Sequence, residues 1–153
     1  MRKTHIRLAE RADLESIREL VIELAIYEKE PQAVTATLED YQGAYDSGLI
    51  KSFIAESDGN IVGMTLFYDT YSTWKGKMLY LEDFVVKASH RRSGIGQQLF
   101  DATVNYARQT QCKLIKWQVL DWNQLALDFY KKQGATIEKE WWNGKIIFDS
   151  SRP

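Results

Sequence analysis

Arg91-Arg92-Ser93-Gly94-Ile95-Gly96, just ahead of a stretch with helical periodicity, is the segment best equipped for chemistry. The first N–H groups of a helix lack intrahelical partners, and the helix dipole favours an anion at that end. Glycine allows close approach to the backbone, and arginine adds charge-assisted hydrogen bonds. The pattern suits a phosphate or pyrophosphate. It also suits an ordinary loop with a solvated arginine pair. Two familiar phosphate motifs do not fit: Leu99 stands where a dinucleotide fingerprint wants a third small residue, and Gly76-Lys77 is followed by Met78 with no earlier glycine at P-loop spacing.

Glu82-Asp83 form a second chemical feature, set inside the β-branched and aromatic run Met78–Val86. Two acids within a mostly buried strand are costly unless they serve a purpose. Glu82 is either a functional carboxylate or one hydrogen-bonded inside the sheet. Consecutive strand residues face opposite sides, so either Asp83 is structural or a β-bulge turns both acids the same way. Tyr27, Trp74 and Trp142 can flank an alkylammonium group by cation–π contact, although packing or a dimer contact also accounts for the tryptophans. His5, His90 and Cys112 lack metal-ligand spacing, and no metal is expected. There is no Gly-x-Ser-x-Gly nucleophile elbow.

The elements that must position these residues are legible from periodicity. Thr4–Leu8 alternates as a strand, and Asp13 stands at an expected N-cap before the apolar stripe Leu14, Ile17, Leu20, Val21, Leu24 and Ala25, a helix reaching about Tyr27. Glu30-Pro31 closes it. Thr37-x-x-Asp40 resembles a capping box for a second helix to Asp46. Ser52–Ser57 and Ile61–Tyr68 read as strands joined at Asp58-Gly59-Asn60, a hairpin signal. A loop over Tyr71–Gly76 leads to the strand Met78–Val86. A helix over Gly94–Gln109, a strand over Leu114–Leu120 and a helix over Asn123–Lys132 closed by Gly134 follow. Ala135–Glu140 and Lys145–Asp149 make a last hairpin across Asn143-Gly144. The order β-α-α-β-β-β-α-β-α-β-β predicts a mixed α/β fold with a mainly antiparallel central sheet flanked by helices.

Composition narrows the class. The 153 residues suit a single domain, 1–153, and at 44% hydrophobic and 27% charged they are those of an ordinary globular protein. A formal net charge of −1 offers no basic surplus for nucleic acid. No run approaches the ~18 apolar residues of a membrane span. Met1–Leu8 has no signal-peptide core, and the lone Cys112 is compatible with a reducing compartment, so a cytoplasmic location is expected.

Arg-x-x-Gly-x-Gly after a strand resembles the acyl-CoA pyrophosphate motif of the GNAT superfamily of N-acetyltransferases, and the element order is similar across nearly the whole chain. Within it, several segments look like the diamine acetyltransferases, the group of the spermidine/spermine and thialysine enzymes. They are Glu23-Leu24-Ala25 with Tyr27-Glu28, Tyr71-Ser72-Thr73-Trp74-Lys75-Gly76, Tyr80-Leu81-Glu82-Asp83-Phe84, Val119-Leu120-Asp121-Trp122-Asn123-Gln124 and Phe129-Tyr130-Lys131. The resemblance implies acetyl-CoA as co-substrate. It sets the backbone of Phe84, Val85 and Val86 along the pantetheine arm, and Arg91, Arg92, Ser93, Gly94, Ile95, Gly96 and Gln97 around the pyrophosphate.

By the same resemblance, Asn123, Ala126 and Tyr130 contact acetyl-CoA, while Tyr27, Glu28, Glu82 and Glu140 meet the amine; the charge of Asp83 and the ring of Trp74 add both to the amine-binding set. Glu82 is then the proton acceptor and Asp83 an attractor of the cation. Tyr130 is the acid for the departing thiolate, a downhill transfer because a phenol's reference pKa of ~10 exceeds a thiol's ~8.5. The polyamine enzyme has an acid and a proline where this chain has Ser72 and Thr73, so a thialysine-like substrate or short diamine is expected. A polyamine, peptide or aminoglycoside acetyltransferase and a non-catalytic acyl-CoA-binding regulator are the alternatives. The group's dimers imply a homodimer.

Overall fold

In the computed structural model, which describes residues 3–148, the elements follow the expected order as far as the last helix. The strands are β1 (Thr4–Leu8), β2 (Lys51–Ser57), β3 (Asn60–Ser72), β4 (Gly76–Val86) and β5 (Leu114–Trp117). The helices are α1 (Leu14–Tyr27), α2 (Leu38–Asp46), α3 (Ile95–Gln109) and α4 (Gln124–Lys132). The chain divides into two compact units, Met1–Gln118 and Val119–Pro153. Among the described residues no helix is long and apolar enough to cross a membrane.

The first unit holds a sheet in the order β1-β2-β3-β4-β5, antiparallel from β1 to β4 and parallel between β4 and β5. Alternation along β2 divides its core. Ile54 packs with Leu14, Ile17 and Leu20 of α1 and with Met64, Leu66 and Val85, whereas its neighbour Ala55 packs with Ile95 and Leu99 of α3. The helices α1 and α3 therefore cover opposite faces. Gly63 lets α3 lie close, since a Cβ there would meet Leu99 Cδ1 and the Val85 carbonyl at 3.1 Å. On the same face the hydroxyls of Thr65 and Thr103 pair at 2.8 Å, and Thr103 also donates to the Leu99 carbonyl at 2.9 Å, so neither buried group lacks a partner.

Several expected local signals are present. The Asp40 N–H donates to Thr37 Oγ1 at 3.1 Å and the Thr37 N–H to Asp40 Oδ2 at 2.8 Å, which starts α2 as a capping box. Asp58 (φ 52°) and Gly59 (φ 81°) supply the two left-handed residues of a tight hairpin turn. Asp13 is the N-cap residue of α1, as expected, but its carboxylate makes no capping bond and accepts instead from the Glu10 N–H and from Arg7. Arg7 also binds Glu56, and this stronger local partnership outcompetes the cap. The β3–β4 hairpin runs further than the expected loop over Tyr71–Gly76 allowed, and β5 ends at Trp117 instead of Leu120.

In the second unit, the Asn123 side chain caps α4 by accepting from the Ala126 N–H at 3.2 Å, and Gly134 (φ 80°) follows the helix as expected. The expected closing hairpin is corrected: residues 135–148 contain no strand, and Asp149 lies outside the described residues. An isolated hairpin is at best marginally stable, and polar groups here bond locally instead. Trp141 Nε1 donates to Glu138 Oε2 at 3.1 Å, and the Lys139 N–H donates to Glu140 Oε2 at 3.0 Å.

Candidate active site

The bulge is the feature that decides where the acids face. From Ser72↔Gly76 the β3–β4 register runs regularly to Phe67↔Leu81 and then shifts to Leu66↔Asp83, leaving Glu82 as an extra residue on β4. Asp83 shares a face with Leu66 and Val85, the face covered by α1. Glu82 is turned to that face too, because its Oε2 accepts a 2.9 Å hydrogen bond from the Tyr68 hydroxyl, and Tyr68 lies on the same side of β3 as Met64 and Leu66. Both acids thus face one way, the second of the two arrangements left open by the sequence.

Their electrostatics follow from this crowding. The Asp83 carboxyl is pushed up to about 7, first by burial and then by the negative charges of Glu82 and Glu28. Burial also raises the carboxyl of Glu28, the residue that caps the C-terminus of α1. The phenol of Tyr41 on α2 is raised by burial and by Asp83 and Glu82, while Arg18 opposes the shift. Among the described residues no set of three His, Cys, Asp or Glu is arranged to hold a metal ion. What the cluster can hold is a cation, and with Asp83 near neutrality it can also hold a proton.

Pairing of β4 with β5 stops at Leu81↔Trp117, whereas β4 continues to Val86 against β3. Phe84, Val85 and Val86 therefore lie past the last β4–β5 pair.

The chain then passes through Arg92 (φ 61°) and Gly94 (φ 84°) into α3. The first intrahelical bond runs from the Gln98 N–H to the Gly94 carbonyl at 3.1 Å, so the N–H groups of Ile95, Gly96 and Gln97 precede it. Gly94 is the glycine that the backbone itself demands. Gly96 is different: a Cβ there would stand 3.6 Å from Phe84 Cζ and 3.8 Å from Val86 Cγ2, ordinary contact distances. Ser93 Oγ donates to the His90 carbonyl and braces the loop.

Arg91 links the two regions. Its Nε donates to the Val86 carbonyl at 3.2 Å, and its guanidinium lies 5.5 Å from the centroid of the Tyr27 ring. Tyr27 precedes Glu28 at the end of α1, so the basic loop and the acidic cluster share one bracket.

The other predicted residues lie on other elements. Trp74 is 82% exposed at the tip of the β3–β4 hairpin. From Gly76 to Glu82, at ~3.3 Å per residue, the distance is roughly 20 Å, so the structure does not bring Trp74 to the acids within this chain. In the second unit Tyr130 is buried, with its ring edge-on to Phe129 at 5.7 Å, and Glu140 and Trp142 are exposed. Tyr41, Tyr68 and Tyr80 were not singled out from the sequence, yet they stand beside the acids. A signal existed for two of them, since counting outwards from the β3–β4 turn sets Tyr68 opposite Tyr80.

The acetyltransferase (GNAT) family profile matches residues 14–135. The chain is 36% identical over 150 residues to the thialysine N-epsilon-acetyltransferase of Bos taurus, covering 90% of this chain and 88% of that protein. It is 35% identical over 139 residues to the human spermidine/spermine N(1)-acetyltransferase-like protein 1, covering 85% of this chain and 20% of that protein. Its fold matches the aminoglycoside N-acetyltransferase AAC(6')-Iy in complex with CoA, with a TM-score of 0.74 at 19% identity over 99% of this chain and 97% of that one. The family profile over residues 14–135 and the extent of the match to these relatives lead to one conclusion: the chain belongs to the GNAT family and is an amine N-acetyltransferase.

Proposed function

We propose that the protein transfers acetyl from acetyl-CoA to the primary amine of a small molecule, a thialysine-like or lysine-like amino acid or a short diamine, by direct attack in a ternary complex. The observation that carries this reading is the bulge, which turns Glu82 and Asp83 together toward the end of α1 and Glu28. Such a cluster attracts an ammonium and then takes a proton from it. Both are required, because a primary ammonium has a pKa near ~10 and only the neutral amine attacks a thioester.

Acetyl-CoA supplies the activated acetyl group and a thiolate leaving group. The residues around the turn into α3 suit its pyrophosphate: Arg91 and Arg92 offer charge, and the backbone of Gly94–Gln97 offers N–H groups. The backbone of Phe84, Val85 and Val86, past the last β4–β5 pair, takes its pantetheine arm in this reading, and Asn123 and Ala126 belong to the same binding role. Asp83 and Glu28 hold the ammonium while the proton leaves nitrogen for Glu82, directly or through a water. Tyr130 delivers a proton to the departing sulfur. Glu140 is a further amine contact. The absence of an acid at Ser72 weakens recognition of a distal second ammonium, which favours thialysine, lysine-like amino acids or short diamines over spermidine. Homodimerisation and a cytoplasmic location belong to the same reading.

The test is a panel of thialysine, lysine, 1,3-diaminopropane, spermidine and a lysine peptide with acetyl-CoA, followed by thiol release. Thialysine or lysine should give the highest kcat/KM, and Tyr130→Phe should lower kcat about tenfold or more at unchanged acetyl-CoA KM. A spermidine or peptide kcat/KM well above that of thialysine overturns the substrate class. An unchanged kcat in Tyr130→Phe removes the acid role.

A further inference from the structure

We propose that Tyr68 is a positioning residue for Glu82, fixing one carboxylate oxygen so that the other receives the substrate proton; this rests on the reading of Glu82 as proton acceptor. Alternation from Tyr80 puts Glu82 on the α1 face, and the bulge that adds Asp83 to that face leaves Glu82 with no residue opposite it on β3, so the strand alone does not set its direction. Glu82 is exposed, and a long carboxylate in water samples many rotamers.

Tyr68 has the rigidity that Glu82 lacks. It is the register partner of Tyr80, and the two rings stack with centroids 5.4 Å apart and 22° between their planes. From this platform its hydroxyl reaches Glu82 Oε2 at 2.9 Å. A carboxylate accepts through either oxygen, so a bond to Oε2 leaves Oε1 for the ammonium or a relaying water. The donor is permanent: burial, and then the hydrogen bond to Glu82, raise the Tyr68 phenol well above its ordinary value. Tyr68 keeps its proton through turnover, while the proton that moves goes from substrate nitrogen to Oε1.

The experiment is a double-mutant cycle of wild type, Tyr68→Phe, Glu82→Gln and the double variant, assayed with acetyl-CoA and whichever of thialysine, lysine, 1,3-diaminopropane or spermidine turns over fastest. Phenylalanine keeps the ring stacked on Tyr80 and removes only the hydroxyl. Tyr68→Phe should lower kcat about tenfold with both KM values within about twofold of wild type. Adding it to Glu82→Gln should change kcat by less than about twofold, because no carboxylate is left to orient. A wild-type kcat in Tyr68→Phe beside a large loss in Glu82→Gln overturns this proposal alone. An equal loss in both backgrounds also overturns it, since the hydroxyl would then act without Glu82. A wild-type kcat in Glu82→Gln removes the proton-acceptor role and this proposal with it.

Discussion

The turn into α3 and the bulge in β4 are joined through Arg91 and Tyr27, yet they are built by opposite means. The turn is made of backbone: a left-handed Arg92, a left-handed Gly94 and the N–H groups of a helix start. Its fixed dipoles do not titrate, so its capacity for an anion is insensitive to pH. The bulge is made of side chains brought together from β3, β4 and α1, and burial and neighbouring negative charge set the ionisation of Asp83. A backbone site is broken by adding a Cβ in the wrong place. A side-chain cluster is broken by changing one carboxyl, and its behaviour follows pH.

The largest expected effect tests the cluster. Glu82→Gln should lower kcat by about 10²–10⁴, the usual worth of a positioned base, while acetyl-CoA KM stays unchanged. If acetyl-CoA KM moves as much as kcat, the two regions are not separable.

Next comes Asp83→Asn. The folded carboxyl titrates at about 7 against an ordinary 3.8, so between these values the folded chain holds a proton that the unfolded chain has released. Stability contributed by this group therefore falls as pH rises through that window, and the full penalty is present above it. Asparagine removes the penalty, so the variant should melt higher than wild type at pH 8, by about 2 kcal/mol or more, or at least roughly 4 °C. The two proteins should converge near pH 4. An equal difference at both pH values would mean that charge is not what the substitution changed.

The smallest effect tests the turn. Gly96→Ala adds a Cβ at ordinary contact distance from Phe84 and Val86, so melting should be nearly unchanged. If an acyl donor lies against this turn, its KM should rise about tenfold, near 1.4 kcal/mol, with little change in kcat. An unchanged KM would place the donor elsewhere and end the contrast.

The sequence by itself determined the local features of the protein. The capping box at Thr37, the Asp58-Gly59 turn, the apolar stripe of α1 and the glycine entry into α3 each depend on neighbours a few residues away, so pattern and spacing suffice. Three features depended on partners distant in the chain. The Asp13 carboxylate, at the N-cap position, is engaged by Arg7, which is held in turn by Glu56, a residue beyond reach of any local pattern. The segment 135–148 alternates like a hairpin, yet no strand forms among its described residues, because a strand needs a partner as well as a pattern. Whether Asp83 joined Glu82 was undecidable from a pair of adjacent acids, since a strand of period two separates them and only a register shift against β3 reunites them. The residue types fix what chemistry is possible, and the pairing of β3 with β4, with burial under α1, decides how readily Asp83 ionises and where the two carboxyls face.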